Sequence, residues 1–74
     1  MNYSMLRKQY NIPENHTLQK VSYHEKDRAT YSEERTIIVE RDDNGNKVSC
    51  FMERYYADAY GNKIEYHKVD TEKE

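Results

Sequence analysis

Asn44-Gly45 stands between two runs of strand-forming residues, and no other short feature of this chain restricts its fold as much. Both residues tolerate the positive φ that a tight hairpin turn demands. Upstream lies Thr36-Ile37-Ile38-Val39, β-branched throughout; downstream the chain runs through Val48, Cys50, Phe51 and Met52. With a two-residue type I′ loop, Asp43 pairs with Asn46, so that Arg41 faces Val48, Val39 faces Cys50 and Ile37 faces Met52 on one side of the sheet. Ile38 with Phe51, Glu40 with Ser49 and Thr36 with Glu53 occupy the other side. This mixture suits a hairpin with one face covered and the other partly covered.

The device recurs. Gly45-Asn46-Lys47-Val48 returns as Gly61-Asn62-Lys63-Ile64, which places a second turn near Tyr60-Gly61 and a further strand at residues 63–69. A two-residue loop would put Ile64 and Tyr66 on the Phe51 side; a three-residue loop with a glycine bulge would put them on the Met52 side. The segment Tyr56-Ala57-Asp58-Ala59-Tyr60-Gly61-Asn62 resembles the tyrosine-aspartate repeats of large bacterial repeat shells, a likeness confined to these few residues.

Upstream of the hairpins, Tyr3, Leu6 and Tyr10 share one side of about two helical turns, and Pro13 stops a helix by Ile12. Residues 17–25 loosely alternate, with Gln19, Val21 and Tyr23 on one side and Leu18, Lys20, Ser22 and His24 on the other, as in a strand. Residues 26–34 are polar and read as a loop or a single helical turn, in which Thr30 would cap and Glu33 would reach back to it. The expected architecture is a β-rich α+β domain: a short helix in residues 1–12, then an antiparallel sheet from strands at 17–25, 35–42, 46–56 and 63–69. The last three strands form a meander, and a charged tail at 70–74 is frayed.

At 74 residues the chain is sized for one domain, and only 35% of it is hydrophobic. A core that small supplies roughly 3 to 5 kcal/mol net. Cys50, the only cysteine, cannot staple its own chain, and His16, His24 and His67 show no zinc-ligand spacing. No metal or cofactor is expected, and association with a partner protein or with a second copy as a homodimer remains as the stabilising device. A net charge of −2 offers no general attraction to nucleic acid or to an anionic membrane, and the absence of a signal-like or spanning apolar run makes the cytoplasm the expected location.

Candidate chemistry is sparse. Cys50 would be a packed mid-strand thiol rather than a nucleophile. The adjacent carboxylates Glu33-Glu34 and Asp42-Asp43 cannot share a proton or a metal on a strand, because neighbours point to opposite faces. His24 and His67 would meet only if the first and last strands were neighbours. An enzyme is therefore not expected. Eight tyrosines against one phenylalanine and no tryptophan is the unusual feature. Tyr55, Tyr56, Tyr60 and Tyr66, with Arg54, Lys63 and Lys68, form the candidate interaction surface, since tyrosine joins contact area to a polar tip.

The expected function is a small protein-interaction module, an inhibitor or adaptor of the kind that phages and other mobile elements carry, docking through the tyrosine-rich hairpin or a sheet edge. The alternative is a single-stranded nucleic-acid binder using the same tyrosines with Arg35, Arg41, Lys47, Arg54, Lys63 and Lys68. Glu53, Asp58 and Glu65, interleaved with these residues, favour a protein partner.

Overall fold

A computed structural model describes residues 3–27 and 29–70. One short helix, α1 (Ser4–Tyr10), precedes four strands, β1 (Thr17–Asp27), β2 (Tyr31–Arg41), β3 (Lys47–Asp58) and β4 (Gly61–Val69). They form a single antiparallel sheet in the order β1-β2-β3-β4, the β-rich α+β fold expected from the sequence.

The helix ends because Asn11 takes the left-handed conformation, at φ 54°, so that the Ile12 N–H can donate to the Arg7 carbonyl at 2.9 Å. Arg7 then donates to the carbonyls of Pro13 and His16, tying down the connector. Tyr3, Leu6 and Ile12 pack on Ile38, Phe51 and Tyr66, with Tyr10 and Leu18 alongside. The Tyr10 and Phe51 rings lie 4.8 Å apart, and Leu6 is wholly buried. Gln9 and the Tyr10 hydroxyl both donate to the Tyr66 carbonyl, fastening α1 to β4.

The helix therefore lies on the face that sequence made the more polar of the two. That face is acceptable because its polar groups have partners: Glu40 meets His16 Nδ1 at 2.6 Å, and the Tyr66 hydroxyl donates to Glu53 at 2.6 Å. On the other face Ile37, Val39 and Cys50 are also buried, in the two central strands, each flanked by a strand on both sides.

Ile37 faces Met52, Ile38 faces Phe51, Val39 faces Cys50, Glu40 faces Ser49 and Thr36 faces Glu53, as the turn position implies. The turn itself differs. The Asp42 and Asn46 backbones bond to each other, and Gly45 N–H donates to the Asp42 carbonyl, giving a three-residue loop in which only Gly45 has positive φ. The Asp42 carboxylate selects it by accepting the N–H groups of Asn44 and Asn46, both at 2.9 Å. Arg41 consequently pairs with Lys47 instead of Val48, and a bulge beside this pair restores the register of the apolar residues.

The second turn is a two-residue loop formed by Ala59-Tyr60, ahead of the expected Tyr60-Gly61, because the Asp58 side chain accepts the Tyr60 N–H at 2.8 Å. Ile64 faces Tyr55 and Tyr66 faces Glu53, which places both on the Phe51 side.

Residues 26–34 correct the expectation of a loop or helical turn. β1 continues to Asp27 and β2 begins at Tyr31, because residues 31–34 have partners in β3, from Asp58 back to Tyr55. Glu33 caps nothing and instead pairs with arginines. The simple alternation in β1 also fails: a bulge between Lys20 and Ser22 puts Leu18, Lys20, Tyr23 and Glu25 on the helix face, with Gln19, Ser22 and His24 on the other. Residues 71–74 of the tail expected to be frayed lie outside the described residues, as do Met1, Asn2 and Arg28.

Since α1 is too short to persist in water alone, its packing holds it. Leu6→Ala should cost about 2 to 5 kcal/mol, comparable to the whole stability of so small a domain. Ile64→Ala, at a half-exposed position, should cost under about 1 kcal/mol. Urea unfolding followed by circular dichroism measures both.

Candidate interaction surface

The strands are longer than the helix can cover. α1 sits over the half of its face that holds Ile38, Phe51 and Leu18, near the Asp42–Asn46 turn. Beyond the row Tyr23-Thr36-Glu53-Tyr66 the same face continues uncovered toward the opposite end of the sheet. Two further rows occupy this far half: Glu25-Glu34-Tyr55-Ile64, then Asp27-Ser32-Ala57-Asn62. Tyr23 and Ile64 remain 49% and 45% exposed there.

The rows are divided lengthwise. Carboxylates Glu25, Asp27 and Glu34 lie on β1 and β2, whereas Tyr55, Ala57 and Ile64 lie on β3 and β4. Glu25 stands directly opposite Glu34, a like-charge pairing that costs stability. The Tyr23 hydroxyl donates to Glu25 at 3.1 Å. Desolvation, followed by hydrogen bonding to Glu25 and Glu34, pushes the Tyr23 phenol up to about 12. Burial, then the Glu53 carboxylate, raises Tyr3 and Tyr66 in the same direction.

The open face has the reverse character. Its far half is built around Glu33, a buried carboxylate. Arg35 donates to one oxygen at 2.6 Å, and Arg54 donates to the other through Nε at 3.1 Å and Nη2 at 2.9 Å. Arg54 also reaches Glu65 at 3.4 Å and covers the Tyr56 ring, 4.6 Å from its centroid. Lys63 approaches the same ring at 5.8 Å. The Arg54 hydrogen bonds, helped by Arg35, hold the Glu33 carboxyl below its ordinary value.

The candidate residues from sequence are thus divided among three places. Arg54, Tyr56 and Lys63 meet on the open face; Tyr55, Tyr66 and Lys68 lie on the helix face; Tyr60, 97% exposed, is the tip of the last turn. Tyr66 is a core residue, and Lys68 lies opposite Phe51 in the covered half. Of the alternative's cations, Arg35, Arg41, Lys47, Arg54 and Lys63 share the open face, while Glu53 lies on the other. Tyr23, Glu25 and Glu34 join the uncovered surface without having been expected there from sequence. The two-residue period of strands is the signal that sorts them, but only once the β1 bulge is known.

Cys50, His24 and His67 lie apart from one another, on three different strands. Cys50 is buried mid-strand. His24 and His67 sit on β1 and β4, at opposite edges of the sheet. Among the described residues, no group of histidines, cysteines and carboxylates is placed to hold a metal ion, and no helix is long and apolar enough to cross a membrane. A concavity of about 490 Å³ lies away from the sheet, lined by Ser4, Arg7, Lys8, Asn11, Ile12 and Glu14. Comparison with protein families, curated proteins and solved structures matched none of them to this chain.

Glu33 sets a pH dependence whose sign is fixed. Its folded-state value lies below the ordinary 4.5, so its contribution to stability is complete above that value and fades as pH falls through the folded one. Glu33→Gln should be less stable than wild type at neutral pH, and the gap should narrow as pH drops from about 5 to about 3. Urea midpoints across that range test this, and parallel curves would contradict it. Asp42, lowered by the Asn46 and Asn44 amides, should contribute to the same acid limb.

Proposed function

We propose that this protein is a small protein-interaction module, of the inhibitor or adaptor type, that docks through the far half of its sheet. The observation that carries this reading is the extension of the sheet beyond its helix, leaving Tyr23, Tyr55, Ala57 and Ile64 on rigid strands without a covering layer. Aromatic and aliphatic side chains held in place by backbone pairing lose little freedom when a partner covers them, which favours their use in recognition. The tip residue Tyr60 extends this surface past the end of β3.

A second reading, binding of single-stranded nucleic acid on the open face, draws on the stacking of Arg54 and Lys63 at Tyr56 and on the removal of Glu53 to the opposite side. It is the weaker one. Glu33 and Glu65 neutralise much of the arginine charge that phosphates would need.

Capture of tagged protein from nuclease-treated lysate of its own host tests the first reading. Wild type and the near-half surface variant Met5→Ser should retain one stoichiometric protein that Tyr55→Ser/Ile64→Ser loses by at least about tenfold, with folding intact. Equal capture by a folded double variant would rule out this surface. Steeply salt-dependent binding of single-stranded oligonucleotides, abolished by Tyr56→Ala/Lys63→Ala, would favour the second reading.

A further inference from the structure

Resting on the docking surface just described, the geometry points to the chemistry of its partner: we propose that the far half of the helix face receives a cationic amphipathic helical segment of another protein. Its lysines or arginines lie over Glu25, Asp27 and Glu34, and its apolar side chains lie on Tyr55, Ala57 and Ile64.

The lengthwise division of the face is the first reason. Glu25, Asp27 and Glu34 stand on the β1–β2 side, beside Tyr23 and Ser32, and Tyr55, Ala57 and Ile64 stand on the β3–β4 side, beside Glu53 and Asn62, so a complementary ligand is itself amphipathic. The second reason is the sign of the charge that the described residues place on this surface. Positions 23, 25, 27, 32, 34, 53, 55, 57, 62 and 64 include no lysine or arginine; Lys68 stands in the Phe51 row, and Lys20, in the Ile38 row, brings its ammonium over the edge of this surface, 5.4 Å from the Tyr23 ring centroid. Glu25 and Glu34, paired across strands, repel each other until a cation reaches them.

Shape supplies the third reason. Four strands spaced at about 4.8 Å span about 14 Å, enough to seat one helix of about 10 to 12 Å diameter. The chain itself shows this arrangement on the other half of the face, where α1 lays Leu6 and Tyr10 on Ile38 and Phe51. From Glu53 to Asp58 the uncovered length is about 17 Å, or about three helical turns. A polyanion is repelled here. On the open face of a second copy, Arg35 and Arg54 are already paired with Glu33 and Glu65, which leaves less cationic charge to meet these carboxylates.

The probe is a synthetic lysine/leucine helix about 12 residues long, with leucines on one side and lysines on the other. It is compared with a scrambled peptide of equal composition and with the glutamate/leucine counterpart, by amide-resolved nuclear magnetic resonance titration of the full chain. The lysine/leucine helix should bind at least about tenfold more tightly than the scramble, and the glutamate peptide should not bind. Shifts should fall on residues 23–27, 32–34, 53–57 and 62–64. Glu25→Gln/Glu34→Gln should weaken binding by about tenfold while leaving the melting temperature unchanged or higher, since it removes a repulsion. Ile64→Ser should weaken binding without changing its salt dependence.

Equal affinity for the scramble, shifts on the open face, or concentration-dependent self-association through the far half would each overturn the proposal. If the host partner is still captured by Glu25→Gln/Glu34→Gln but lost by Tyr55→Ser/Ile64→Ser, the docking surface stands and the cationic partner does not. Loss with neither variant removes both.

Discussion

Packing of Leu6 against Ile38 and Phe51 is the contact on which the rest of this structure depends. The chain has too few apolar residues for two covered layers, and its helix is too short to exist without a sheet beneath it. Everything that positions α1 serves this contact: the left-handed Asn11 that ends the helix, the Arg7 bonds that hold the connector, and the donors from Gln9 and Tyr10 to β4. The seam closes one half of one face. The strands run on past it, so an uncovered surface follows directly from a short helix on long strands.

That far half lacks a hydrophobic layer and is held differently. Backbone pairing runs across all four strands, and on the open face the buried Glu33 carboxylate binds Arg35 and Arg54, linking β2 to β3. Arg54 carries the link to Glu65 on β4. A buried carboxylate is costly unless its partners remain, which makes this network specific as well as stabilising. The two faces of the far half therefore differ: ion pairs secure the open face, and the helix face presents carboxylates beside apolar groups.

Much of the sheet is legible in the sequence because its signals are local. Thr36-Ile37-Ile38-Val39 and Asn44-Gly45 give the central hairpin and the pairing of Val39 with Cys50, and Tyr3, Leu6 and Tyr10 give the helix and its buried side. What is not legible depends on distant or competing groups. The Asp42 carboxylate changes the loop type, and a bulge then compensates, so two local departures leave the apolar register intact. Residues 31–34 become strand through pairing with residues 55–58, and Glu33 meets an arginine twenty-one positions away. The tyrosines illustrate the same limit: Tyr55 and Tyr56 are neighbours in sequence and belong to different faces, so density along the chain does not make a single surface.

The proposed docking surface requires a far half that is already folded in the isolated protein, and amide hydrogen exchange tests that most directly. Amides at residues 33–35 and 54–56 should be protected to nearly the same extent as those of Ile38 and Phe51, because backbone pairing runs unbroken through both halves of β2 and β3 and the Glu33 network secures the far one. Exchange of the far-half amides at rates near those of an unstructured chain, with Ile38 and Phe51 still protected, would show that this half opens independently and would contradict a preformed surface.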